Sequence, residues 1–212
     1  MLYTDGKLVF SNQRMDGKLK QILMHCERDA KGKVIIPNGV NRIEAGAFEG
    51  CKDVTSIQIP ESVTEIGDRA FAESGITSLS LPQLEWIPFR LCAECKSLKT
   101  VDIKAGLIGI RCKAFEQCEV LQSLGVSRDI KGLVLPSGFE VIDDSAFRLC
   151  LKLETANLPS SVTNINYAAF SQSGLKMIYY PKEAIVGYHA FKGCQGLSKV
   201  IYESVSGSVM RP

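Results

Sequence analysis

The chain has 212 residues, 25 basic and 23 acidic, for a formal charge of +2 at pH 7. It is 45% hydrophobic and carries two histidines and one tryptophan. So balanced a charge offers no broad field to draw in a polyanion, and nucleic acid is not expected as a partner. No apolar run approaches the roughly 20 residues that span a bilayer, so no membrane insertion is expected. Met1 to Phe10 lacks the basic start, apolar core and small-residue cleavage site of a secretory signal, so the chain as given is expected to be cytoplasmic or already relieved of its signal.

At the N-terminus, Leu2, Tyr3 and Thr4, then Asp5-Gly6, then Leu8, Val9 and Phe10 read as a β-hairpin. Ile22 to His25 reads as a further strand, followed by Lys33 to Ile36. Residues 1–32 form a β cap, on this reading, over the first coil of the segment that begins at residue 33.

From residue 33 the chain repeats itself, and self-similarity of this period is the mark of a stacked architecture. An aliphatic residue followed four and five places later by Ala-Phe occurs at Ile43, Ile66, Ile110, Ile142, Ile165 and Val186. A seventh copy at Ile87 has Leu91-Cys92 in place of Ala-Phe. Successive anchors are 23, 21, 23, 32, 23 and 21 residues apart. The long step reads as one unit plus an insertion at 127–135. Three residues after the Phe position stands Cys or Ser: Cys51, Ser74, Cys95, Cys118, Cys150, Ser173 and Cys194. An aliphatic-x-aliphatic tip then usually ends in Pro, as in Ile57, Ile59 and Pro60 or Leu79, Leu81 and Pro82. The tip predicts a short strand with alternating inward and outward side chains, and the proline ends its ladder. The Ala-Phe stretch is too short for a long helix, and a one- or two-turn helix or 3₁₀ turn is expected there. No unit can bury its own apolar residues, so neighbours must stack into a solenoid with a parallel sheet on one face. A longer period overlies this one, since Ile43 and Ile142, Ile66 and Ile165, Ile87 and Val186, and Pro37 and Pro136 are each 99 residues apart. It points to duplication of a multi-repeat block.

The stretches from Ile59 to Phe71 and from Leu158 to Ile165 resemble the BspA-type, or Treponema-type, leucine-rich repeat, and the likeness runs over residues 33–202. The resemblance implies an α/β fold: a right-handed leucine-rich-repeat solenoid with a parallel sheet on one face, short helices or 3₁₀ turns on the other, and the N-terminal β-hairpin as cap. It also implies a cell-surface or secreted protein of bacterial or protozoan type that binds host or matrix proteins. Residues 203–212 are polar and form a tail without a comparable cap.

Chemistry finds little to stand on in this sequence. Cys92, Cys95, Cys112 and Cys118 faintly suggest a four-thiolate zinc site, but the repeat places Cys92 at an inward Phe position and Cys95 and Cys118 in the recurrent Cys/Ser column. Small buried thiols explain them without metal. A disulfide between neighbouring coils stays open as an alternative. His25 and His189 have no nucleophile facing them, and Asp143 and Asp144 read as turn residues rather than an acid/base pair. No catalytic residue, metal or cofactor is expected, and no phosphate-binding glycine loop is present.

The outward positions of the repeat strands therefore become the candidate site. They are Ser56 and Gln58, Ser78 and Ser80, Thr100 and Asp102, Ser123 and Gly125, Thr155 and Asn157, Met177 and Tyr179, and Lys199 and Ile201. Gln58, Ser80, Thr100, Asp102, Thr155, Asn157, Met177, Tyr179, Lys199 and Ile201 are the residues expected to meet a protein ligand. The early rows are small and polar, whereas the late rows bring Met, Tyr, Lys and Ile, the composition of contact surfaces. The alternative is a structural spacer within a larger surface protein, with no ligand of its own.

Overall fold

The computed structural model describes residues 2–5, 7–15, 17–126 and 131–203. Strand β1 (Leu2–Asp5), β2 (Leu8–Met15) and β3 (Lys18–Cys26) form an antiparallel meander. Asp5 pairs with Leu8, and Met15 with Lys18. From there the chain coils. β4 (Gly32–Ile35), β6 (Val54–Gln58), β8 (Ser78–Ser80), β10 (Thr100–Asp102), β12 (Ser123–Gly125), β13 (Gly132–Val134), β15 (Thr155–Asn157), β17 (Met177–Pro181) and β19 (Lys199–Glu203) lie side by side in one nine-stranded sheet. Every pairing in it is parallel, from β4–β6 through β17–β19.

The repeat anchors lie on a second wall. Here β5 (Val40–Ile43) and β7 (Glu65–Ile66) join β3 to make a five-stranded sheet with the meander. β9 (Trp86–Ile87), β11 (Gly109–Ile110), β14 (Val141–Ile142), β16 (Asn164–Ile165) and β18 (Ile185–Val186) form another five-stranded parallel sheet. The N-terminal meander is thus joined edge to edge to the solenoid through β3 and β5, and it sends Leu8, Phe10, Leu23 and Cys26 into the common core.

Short helices were expected on the Ala-Phe stretches, and the described residues contain none. Those stretches are runs of tandem turns, and the hydrogen bonds show why. In the coil at Ile43, the amides of Ala47, Glu49 and Cys51 bond to carbonyls three residues back, at Glu44, Gly46 and Phe48. The alternate amides of Gly46, Phe48 and Gly50 bond across to Asp68, Ala70 and Ala72 of the next coil. A helix would need every amide for its own ladder; here half of them tie coil to coil. The alternation recurs in the later coils, for example Ser145, Phe147 and Leu149 to Tyr167, Ala169 and Ser171. It requires a left-handed backbone at the residue before Ala and again four residues on, and eleven of the described non-glycine residues adopt it, including Arg69, Arg90, Lys113, Ser145, Ala168 and His189. Each such residue carries about 1 kcal/mol of backbone strain, which the lateral bonding and the core offset.

Inside run columns of repeated side chains. Ala47, Phe48, Ala70, Phe71, Ala114, Phe115, Ala146, Phe147, Ala169 and Phe170 are all buried. The rings of Phe115, Phe147 and Phe170 stack at 5.6 and 5.3 Å between centroids. At Leu91-Cys92 the column breaks, but both residues are fully buried: the larger Leu at the Ala position offsets the smaller Cys at the Phe position.

The 127–135 stretch has a structural explanation where it is described, residues 127–130 lying outside the described set. Gly132–Val134 is strand β13, paired in register with β12. Only residues 126–131 separate the two strands in sequence, and no repeat anchor lies between them. β13 stands 99 residues after Val34 and its neighbours in β4, and Leu133 is buried as Val34 is. The extra residues are where the duplicated block begins again.

Candidate functional site: the exposed face of the long sheet

The parallel register aligns the outward side chains into two columns. Ser78 pairs with Thr100 and Thr100 with Ser123; further on, Thr155 pairs with Met177 and Met177 with Lys199. The second column runs from Ser80 to Asp102 to Gly125, then from Val134 to Asn157 to Tyr179 to Ile201. Gln58, Ser80, Asn157 and Lys199 are exposed, while Thr100, Asp102, Thr155, Met177, Tyr179 and Ile201 are half-buried. Ser80 donates to Asp102 at 2.7 Å, so the polar rows also bond along the face. The pattern reading did not include the rows of β4, with Lys33 and exposed Ile35, and of β13, with Gly132 and half-buried Val134. Ser123, Gly125 and Gly132 are buried, and a Cβ at Gly132 would meet Thr155 Oγ1 at 2.1 Å. The face is therefore divided at the block junction, and Met177, Tyr179, Lys199 and Ile201 lie together beyond it.

The thiols form a packing column. Cys95 donates to the Phe71 carbonyl at 3.0 Å, Cys118 to that of Cys92 at 3.0 Å, and Cys150 to that of Phe115 at 3.2 Å. Each bond ties a coil to the one before. Burial pushes the Cys92, Cys118 and Cys150 thiols well above their ordinary range, which disfavours the thiolate that nucleophile or metal chemistry needs. All eight cysteines are free thiols. Among the described residues, no group of His, Cys, Asp and Glu is placed to hold a metal ion. His25 is exposed beside Glu27 at 3.5 Å. His189 occupies a left-handed turn position, its ring centroid 3.7 Å from that of Tyr188. Asp144 Oδ1 accepts from the Tyr167 amide, and Asp143 Oδ1 from Asn166 Nδ2, so both carboxylates link turns of adjacent coils.

With this architecture in view, the profile of the BspA type leucine rich repeat region matches residues 26–133 and 126–206, in six copies. The chain belongs to this family. Its fold is that of solved bacterial leucine-rich-repeat proteins. A leucine rich cell surface protein from Faecalibacterium prausnitzii aligns with a TM-score of 0.65 at 26% identity, over 97% of this chain and 55% of that one. A leucine-rich repeat protein from Eubacterium ventriosum gives 0.69 at 22%, over 93% and 52%. The leucine-rich repeat protein of T. pallidum gives 0.57 at 19%, over 92% and 80%. This BspA-type chain spans about half the length of the first two. No curated protein is close enough in sequence to count as a match. Among the described residues, no helix is long and apolar enough to cross a membrane.

Proposed function

We propose that this BspA-type chain is a non-catalytic protein-binding or adhesion module of a bacterial or protozoan surface protein, and that it meets its protein ligand, a host or matrix protein, through the exposed face of the long sheet. The observation that carries the reading is the cluster of Met177, Tyr179 and Ile201 beside Lys199 on β17 and β19. Aromatic and methionine side chains set among polar ones are the composition of contact surfaces. The parallel ladders hold them in fixed register, so binding orders little that is not already ordered. Likeness to the cell-surface protein of F. prausnitzii supports the location. The test is a panel of immobilised extracellular matrix proteins probed with the wild type and with Met177→Asp/Tyr179→Asp. Saturable binding by the wild type, lost in the folded double variant, is expected. Equal binding by both moves the contact elsewhere, and no saturable ligand favours a spacer.

A further inference from the structure

A second surface lies on the turn side of the solenoid, away from the long sheet. A groove of about 630 Å³ crosses the later coils there, with Lys113, Glu116, Asp144, Arg148, Tyr167 and Lys192 among its lining residues. Its origin is visible in the duplication. In the first block the left-handed turn position holds Arg69, whose guanidinium bonds to Glu49 and stands 3.8 Å from Glu73. Ninety-nine residues on, the same three positions are Ala168, Arg148 and Gln172. The filling side chain is gone, the carboxylate that received it has become an arginine, and the flanking carboxylate has become an amide. Ala93 has likewise become Lys192, and Glu94 Gly193.

The vacated space carries a small excess of positive charge. Its charged lining is Lys113, Arg148 and Lys192 against buried Glu116 and exposed Asp144; Glu116 faces Arg148 at 2.9 Å and, at 3.9 Å each, Lys113 and Arg90, the latter also 3.0 Å from Glu94. Arg148 also reaches Gln172 at 3.5 Å. Lys192 has no ion-pair partner among the described residues. A guanidinium in such a place takes a carboxylate in preference to any neutral group. The floor is small and partly hydroxylic, with Ser145, Ala168 and Ser171 buried. At the rim stand half-exposed Tyr167 and His189, ring centroids 5.9 Å apart, with exposed Tyr188 beside His189 at 3.7 Å. A flat aromatic body with polar tips suits the apolar face and hydroxyl edge of a sugar ring. An extended peptide has less to hold, because the backbone along the floor is already engaged, Ser145 N to Tyr167 O and Ala168 N to Tyr188 O, and offers no strand edge to extend.

We propose that this groove binds a carboxylated saccharide, with Arg148 and Lys192 receiving the carboxylate and Tyr167 the face of the ring. The site is distinct from the long-sheet face and does not depend on it. An array of uronate- and sialate-bearing oligosaccharides, each beside its neutral counterpart, is probed with the wild type, with Ala168→Arg, and with Met177→Asp/Tyr179→Asp. Ala168→Arg puts back the residue that the first block carries at the equivalent backbone, so it is expected to fold, as checked by its melting curve. Binding of acidic saccharides by the wild type and the sheet variant, with loss in Ala168→Arg, is expected. Arg148→Gln should weaken binding by roughly tenfold to a hundredfold, the range for one charge-assisted hydrogen bond. The proposal is overturned if no acidic saccharide binds, if the neutral counterparts bind equally, if folded Ala168→Arg binds as the wild type does, or if a penta-glutamate peptide competes with equal affinity.

Discussion

The two blocks of the duplication keep the same coils and dress them differently. Inward positions are alike in kind, with Phe48 and Phe147, Phe71 and Phe170, and Cys51 and Cys150 each 99 residues apart and each buried. On the turn face the charges diverge. Glu49, Arg69 and Glu73 form an ion-paired ridge in the first block, where the second presents Arg148, Ala168 and Gln172 around an open groove. The long sheet divides likewise, with small polar rows in the first block and Met177, Tyr179 and Ile201 in the second. Packing constrains what faces the core, so the surface is where duplicated blocks become free to acquire separate tasks.

The largest effects should come from the shared interior, and they should still differ between blocks. Phe147 stacks on rings to both sides, Phe115 and Phe170. Phe71 meets Phe48 at 5.6 Å and has Cys92 in the next coil where other coils put a ring. Phe147→Ala should cost about 3–5 kcal/mol in urea denaturation. Phe71→Ala should cost less by about 0.5–1.5 kcal/mol, the worth of one ring pair. Equal losses would mean that the gap in the column has no energetic trace.

The gap itself can be closed. Cys92→Phe alone overfills a site that Leu91 has already narrowed, and should destabilise by about 1–3 kcal/mol. Leu91→Ala/Cys92→Phe restores the pair found in the other coils and should come back to within about 1.5 kcal/mol of the wild type, the tolerance of volume-conserving exchanges. Strict additivity of Leu91→Ala and Cys92→Phe in a double-mutant cycle would defeat the idea that they compensate.

A smaller contrast lies in the turns. Gly50 and Leu149 occupy equivalent left-handed positions, at φ 74° and 62°. A Cβ on Gly50 meets nothing within 4 Å, so Gly50→Ala isolates the backbone cost. A loss of about 1 kcal/mol by chemical denaturation is expected; no loss would show the turn to be free of strain in the first block.

How much of the molecule is legible in its sequence depends on which residues recur. The inward columns and the coil stacking can be read because Ala-Phe and the Cys/Ser position return at fixed spacing. Strand β13 reads as an insertion, although Leu133, Leu135 and Pro136 repeat the tip of Val34, Ile36 and Pro37, because no anchor separates it from β12. The second wall of short strands escapes pattern reading because two residues such as Glu65 and Ile66 carry no alternation to detect. Tandem turns pass for helices because the spacing of Ala-Phe alone does not say where each amide bonds, and that depends on the neighbouring coil. The groove is out of reach for the same reason: Ala168 is one small residue among many until Arg69 is seen to fill the equivalent space.

The smallest expected effect concerns charge on the turn face. The hydrogen bond from the Arg69 guanidinium holds the Glu49 carboxyl below its usual range. A carboxylate depressed on folding adds stability that is fully present above its unfolded value of about 4.3 and is lost as pH falls through the lower folded value. The second block has Arg148 and Ala168 at these positions and no such titration between them. Glu49→Gln should therefore reduce stability near neutral pH by under about 1 kcal/mol, since the pair is partly exposed, and should make no difference once Glu49 is protonated. Urea denaturation of the wild type and Glu49→Gln at about pH 7 and about pH 2 compares them directly, and a Glu49→Gln penalty that persists unchanged in acid would show that Glu49 acts through packing rather than through its charge.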